Sequence, residues 1–296
     1  MRRVLVACVV LRSLSVAADD SITKDAAATL LYDTTTAPAC ADIDCLIDHR
    51  YTADAKAKKL ALDLFHASGD IAGVGADEIM DGGYRGRIHL VPELPIGGYR
   101  KHLAWVADAM MSFDAFFAAQ FPDAKPRYRW RALGFRFVRS LDGKRTPSAY
   151  ASSWSIEYNV AGSLLFSADG VRETLFHELF HLNDEAHHDW SARTLATDYD
   201  AIVRKCGTKV SCLAPYAPND TMVRGGTYYA FQPNNGDAVH EYAAELAVRY
   251  WKEQTAMTTK HRLAAKAFKC GPAENARAWK SLIDEYFAGR DLVPAC

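Results

Sequence analysis

Residues 177–181 read His-Glu-Leu-Phe-His, two histidines four apart with a glutamate directly after the first. Residues four apart share one face of a helix, so His177 and His181 can meet a single ion. Glu178, about a quarter turn away, can reach a water on that ion without being a ligand. By chance this HExxH pattern arises in about one sequence in a hundred of this composition. The chemistry it suits is zinc-assisted peptide hydrolysis, with Zn2+ lowering the pKa of its water and Glu178 as general base. The flanks fit a helix from Val171 to Asp184. Val171, Leu175, Leu179 and Leu182 lie opposite the histidines, and Ser167 or Asp169 can cap its start.

A catalytic zinc usually takes three protein ligands and one water, so a third donor is needed. Glu241 and Glu245 lie four apart in a second helical segment, Asp237 to Glu253, capped by Asp237. One of them could ligate the ion while the other orients a ligating histidine from behind. The same residues also fit a solvated stripe with Arg249 and Lys252, where Glu245–Arg249 is a favourable pair. His187, ten residues after His177, has the metzincin spacing. That pattern needs glycine at 184, where this chain has Asp184, and its methionine turn would fall on Met222. Asp184, His188 and Asp189 are further donors in the same stretch, which equally fits a solvated helix end.

TLFHELFHLND followed by HEYAAELAVRYW resembles the gluzincin zinc metallopeptidases and is most similar to the anthrax lethal-factor-like group, over roughly residues 160–255. The resemblance implies that Glu241 is the third zinc ligand and that Glu245 supports it. It implies a zincin-like fold and an extended peptide or protein substrate that pairs with a strand ahead of the active helix. That strand is expected at about Tyr158 to Ser167. The group's catalytic tyrosine would fall at position 234, which is Asn234 here, leaving Tyr228 or Tyr229 as the nearest candidates.

The elements that must position these groups read as α+β, strands first and helices later, with a small mixed or antiparallel sheet. Helical spacing covers Tyr51–His66 and Tyr99–Phe121. Strand patterns cover Gly86–Leu94 and Arg127–Arg139, with one or two more within Ser153–Ser167. Further helices are expected at Ser191–Lys205 and Glu274–Phe287, which makes the C-terminal half helical. Gly73-Val74-Gly75 is a lone GxG without a strand–helix frame. Residues 19–50 are polar, turn-rich and read as irregular, a candidate prosegment. Residues 51–296 then form a single domain.

The 296 residues are 49% hydrophobic and 24% charged, with a net charge of −1. That composition excludes a disordered chain and bulk binding to nucleic acid, and no apolar run reaches the roughly 18 residues of a transmembrane span. Residues 1–18 read as a signal peptide, with two arginines, an apolar run and small residues before Ala18. Leu5-Val6-Ala7-Cys8 also fits a lipobox, in which Cys8 would carry a lipid anchor. The expected address is therefore secreted or periplasmic, or membrane-anchored as a lipoprotein. Loss of Cys8 leaves six of the seven cysteines, and their spacing favours Cys40–Cys45, Cys206–Cys212 and Cys270–Cys296. The Cys206–Cys212 loop and the stretch to Gly236 would wall the cleft. Two alternatives stand beside a secreted zinc endopeptidase: a metzincin-like peptidase using His187, and a non-catalytic exported protein with a peptidase-like groove.

Overall fold

A computed structural model describes residues 21–32, 36–82, 85–223, 225–233 and 238–296. The expected leader with Cys8, together with Asn234 and Asp237, lies outside these residues. Three capped helices come first: α1 (Lys24–Leu31), α2 (Ile43–Arg50) and α3 (Ala55–Ser68). Thr23, Asp42 and Asp54 each accept a backbone N–H of the first turn. The irregular reading of 19–50 is therefore corrected: from Lys24 most of this segment is helical. Its Ala27, Leu31, Leu46 and Ile47 enter the main hydrophobic core. The segment's polar composition hid two helices that bury only a few apolar residues each.

The sheet has six strands: β1 (Ile71–Val74), β2 (Glu78–Asp81), β3 (Arg87–Pro92), β4 (Gly134–Ser140), β5 (Ala149–Ser152) and β6 (Ser155–Asn159). Their order is β2-β3-β4-β6-β5, with β1 also paired to β4. β1 runs parallel along Gly134–Phe137 of β4, and β3 runs antiparallel along Val138–Ser140. These two strands share one edge of β4 end to end, while β6 lies parallel on the other. The class is thus mixed α+β. The Gly73-Val74-Gly75 run serves packing: a Cβ on Gly73 would lie 1.9 Å from the Leu30 carbonyl oxygen of α1.

Two strand expectations need correction. Residues 127–133 are not extended in the sheet, because their alternating aromatics pack on helices instead. Tyr128 stacks on Phe117, Phe176 and Phe287. The strand expected at Tyr158–Ser167 ends at Asn159, and β6 is interior. The sheet edge on that side is β5, which pairs antiparallel with β6 alone.

The helical part comprises α4 (Arg100–Gln120), α5 (Ala168–Ala186), α6 (Trp190–Thr194), α7 (Ala196–Cys206), α8 (Val210–Leu213), α9 (Ala238–Lys260) and α10 (Ala273–Tyr286). The single helix expected at 191–205 is broken at Leu195. α4, α5 and α9 meet through Phe113, Phe176 and Trp251, whose ring centroids lie 5.3–5.8 Å apart. Such aromatic contacts contribute about 0.5–1.5 kcal/mol each beyond their burial. Ser167 caps α5 by accepting from the Gly170 N–H. Val171, Leu175, Leu179 and Leu182 are buried, and so are Phe176 and Phe180 on its flanks. α5 is therefore enclosed on more than one side. All three expected disulfides are formed, Cys40–Cys45, Cys206–Cys212 and Cys270–Cys296. Among the described residues, no helix is long and apolar enough to cross a membrane.

Asp70, just before β1, is fully buried. It accepts from the Leu133 N–H at 2.8 Å and the Ser68 hydroxyl at 2.5 Å. Burial pushes its carboxyl up to about 7, against the pull of these bonds. A carboxyl raised on folding favours the fold below its unfolded value near 4, and that advantage is lost as pH rises to about 7. Asp70→Asn can keep both bonds and has no proton to lose. Its unfolding free energy should therefore decline less than that of the wild type between pH 5 and 8, by on the order of a few kcal/mol at most. Parallel pH profiles in denaturant titrations would contradict this reading of Asp70.

Candidate metal centre

α5 and α9 pack antiparallel, as four successive polar contacts show. Glu173 meets Lys252 at 2.9 Å, His177 meets Glu245 at 3.4 Å and Glu241 at 3.0 Å, and Asp184 meets His240 at 2.8 Å. Residues 177, 181 and 184 form one stripe of α5 because each turn brings the chain back to the same face. The antiparallel register sets the first turn of α9 against the second half of that stripe. The HExxH pair therefore faces Glu241, although 64 residues separate His177 from it.

Three donor atoms converge there. The Nε2 atoms of His177 and His181 are 3.1 Å apart, and Glu241 Oε2 lies 3.0 Å from the first and 3.7 Å from the second. These three residues form a donor group that could hold a metal ion. Four ligands placed tetrahedrally at the 2.0–2.1 Å of zinc bonds would be separated by about 3.3 Å, within the range of these spacings. Two imidazoles and one carboxylate are also a donor set that zinc accepts with one position left open. The residues present fit the metal.

The centre is held from behind. His177 turns its Nδ1 to Glu245 Oε1. The other oxygen of Glu245 accepts from Asn219 Nδ2 at 2.9 Å and Thr221 Oγ1 at 3.3 Å. Asn219 also donates to the Glu245 carbonyl at 2.8 Å, tying the 213–229 stretch to the middle of α9. The Thr221 carbonyl accepts the Tyr229 N–H at 2.8 Å, and the Tyr229 ring sits 5.8 Å from that of His177. This part of the loop thus braces the middle of α9.

Electrostatics follow from this enclosure. Burial alone would lower the His177 pKa, yet its hydrogen bonds to the Glu241 and Glu245 carboxylates hold it well above the ordinary value. Burial works against the ionised Glu241, and the His177 and His181 imidazoles overcome it, keeping its carboxyl well below the usual range. Glu245 is lowered in the same way, against its own burial, by His177, Asn219 and Thr221. Glu178 goes the other way. Burial raises its carboxyl, the two imidazoles draw it down, and Glu241 pushes it up again. Its side chain makes no hydrogen bond with any described residue.

The remaining candidates are placed elsewhere. His187 Nδ1 bonds Glu285 Oε1 at 2.6 Å and its ring packs on Tyr286, so it faces α10 rather than the histidine pair. His188 and Asp189 make a left-handed turn after α5, with φ of 59° and 53°. The reversal that glycine at 184 would serve thus occurs four residues later. Asp184 itself is buried and committed to other partners. Met222 is exposed and bridges to Tyr228, so of the two tyrosines only Tyr229 lies against a site histidine. The solvated-stripe alternative is overturned: Glu245 is 7% exposed, and Arg249 pairs with Glu253 at 2.6 Å. Asn219, Thr221 and His240 carried no signal in the sequence, since each acts across a fold contact. Compared with models of protein families, with curated proteins and with solved structures, the chain matches none.

Proposed function

We propose that the protein is an exported zinc-dependent peptidase of the zincin type, similar to the gluzincins. The observation that carries this is the donor trio itself. An HExxH pair and a carboxylate from a distant helix converge at spacings zinc accepts. His177, His181 and Glu241 hold the ion, and Glu245 orients His177 through its Nδ1. Bound zinc would supply a Lewis acid for the scissile carbonyl and acidify a water. Glu178 would serve as general base, taking a proton from the attacking water and giving it to the departing amine. Its place directly after His177, with no hydrogen bond to another described residue, suits this role. Tyr229, beside His177, is the better placed of the two tyrosines to donate to the developing oxyanion. An extended peptide adds to the outer edge of β5, which among the described strands pairs with β6 alone and which packs alongside α5. Three disulfides support an oxidising compartment.

The test is direct. The purified protein should bind about one zinc per chain and cut a mixed peptide library. A chelator should abolish cleavage, and added zinc should restore it. A chain that binds no zinc, or cleavage indifferent to chelation, overturns the proposal.

A further inference from the structure

Glu241 occupies the first turn of α9. The first N–H groups of a helix lack intrahelical acceptors, and helix ends open more readily than helix middles. A metal ligand placed there needs a tether from outside its own helix. Its neighbour His240 has one. His240 Nδ1 lies 2.8 Å from Asp184 Oδ2, one turn beyond His181 on α5. Asp184 is 1% exposed and fixed from several directions. Its Oδ1 accepts the Ser191 N–H at 2.8 Å and lies 3.3 Å from the Tyr286 hydroxyl, and its Oδ2 accepts from the Ser191 hydroxyl. One buried carboxylate thus joins α5, α6, α9 and α10 just beyond the metal centre.

We infer that Asp184 and His240 are a positioning pair that anchors the first turn of α9 and so keeps Glu241 in the donor set. This rests on the metal-centre reading above. Neither residue belongs to the donor trio. Asp184 is set by the fold before metal arrives, and His240 transmits that position along one residue of backbone to Glu241. The pair lets the protein hold a preformed three-donor site instead of recruiting the third donor at each binding event. The other end of the α5–α9 contact, Glu173–Lys252, is nearly half exposed on both sides. An exposed ion pair of that kind holds little. Beyond His177–Glu245, one turn further along α9, the contact from His240 to the buried Asp184 is the tether next to Glu241 in sequence.

The experiment compares zinc affinity, by competition with a chromophoric chelator at fixed pH, for the full chain and four variants: His240→Ala, Asp184→Asn, their double, and Glu173→Gln. Cobalt-substituted visible spectra and melting of the metal-free proteins accompany it. His240→Ala and Asp184→Asn should each weaken zinc by roughly tenfold to a hundredfold and shift the cobalt spectrum. The double variant should be no weaker than the worse single one, because both remove the same tether. Glu173→Gln should bind as the wild type does. If Asp184→Asn fails to fold, His240→Ala against Glu173→Gln decides alone. Wild-type affinity and spectrum in His240→Ala overturn the positioning role, as do additive losses in the double variant or a lowered melting point with unchanged affinity. A wild type that binds no zinc overturns the metal-centre reading together with this one; a wild type that binds zinc no more tightly than His240→Ala overturns this one only.

Discussion

Glu178→Gln should keep its zinc and lose peptide hydrolysis by roughly 10²–10⁴-fold, the range that removal of a general base covers. Glutamine has nearly the same shape, so the packing around this buried residue survives. No hydrogen bond to a described residue is lost with the charge. What disappears is the proton acceptor between water and leaving amine. Zinc content by metal analysis and cleavage of a peptide substrate read the two effects separately. Activity within about threefold of wild type would remove Glu178 from the mechanism. Loss of zinc would instead mark it as a ligand.

Glu241→Ala should weaken zinc by more than the tenfold to hundredfold expected when a residue behind a ligand is changed. Without it, two imidazole nitrogens 3.1 Å apart remain, and they make a weak, open site. Glu245 cannot take over, because it faces Nδ1 of His177 while the donor group uses Nε2. His187→Ala is the informative contrast. Its partner is Glu285 on α10, so this variant should retain zinc and show only a modest loss of thermal stability. Full zinc in Glu241→Ala, or zinc lost in His187→Ala, would reverse the choice of third ligand.

How much of this could be read beforehand depended on how local the physics is. His177, Glu178 and His181 are set by the helical repeat alone, and the burial of Leu175 and Leu179 follows from the same periodicity. Glu241 and Glu245 were visible as a pair, but spacing could not separate a metal-facing stripe from a solvated one. That difference is made by Asn219, Thr221 and His177, which reach Glu245 from other segments. The Asp184–His240 contact spans 56 residues and has no local trace. At the N-terminus the error ran the other way. Thr23, Asp42 and Asp54 are good helix-starting residues, yet the polar composition after Thr23 and Asp42 conceals the two short helices that follow them. Their stability comes from packing: α1 lies on β1 and β4, as where Leu30 meets Gly73, and α2 packs on α1 and α3. Alternation at 127–133 misled for a related reason: Tyr128 is inward-facing, but what it faces is a helix surface rather than a neighbouring strand.

The 64 residues between His177 and Glu241 also impose an order in time. A growing chain produces its histidine pair well before its carboxylate donor. At roughly 5–20 residues per second, synthesis of the interval takes about 3–13 s. Throughout that interval, and in any chain ended short of residue 241, the HExxH helix exists without its third ligand. On the proposed function, nascent or truncated chains lack the capacity to cut until Glu241 has been made, 64 residues after His177.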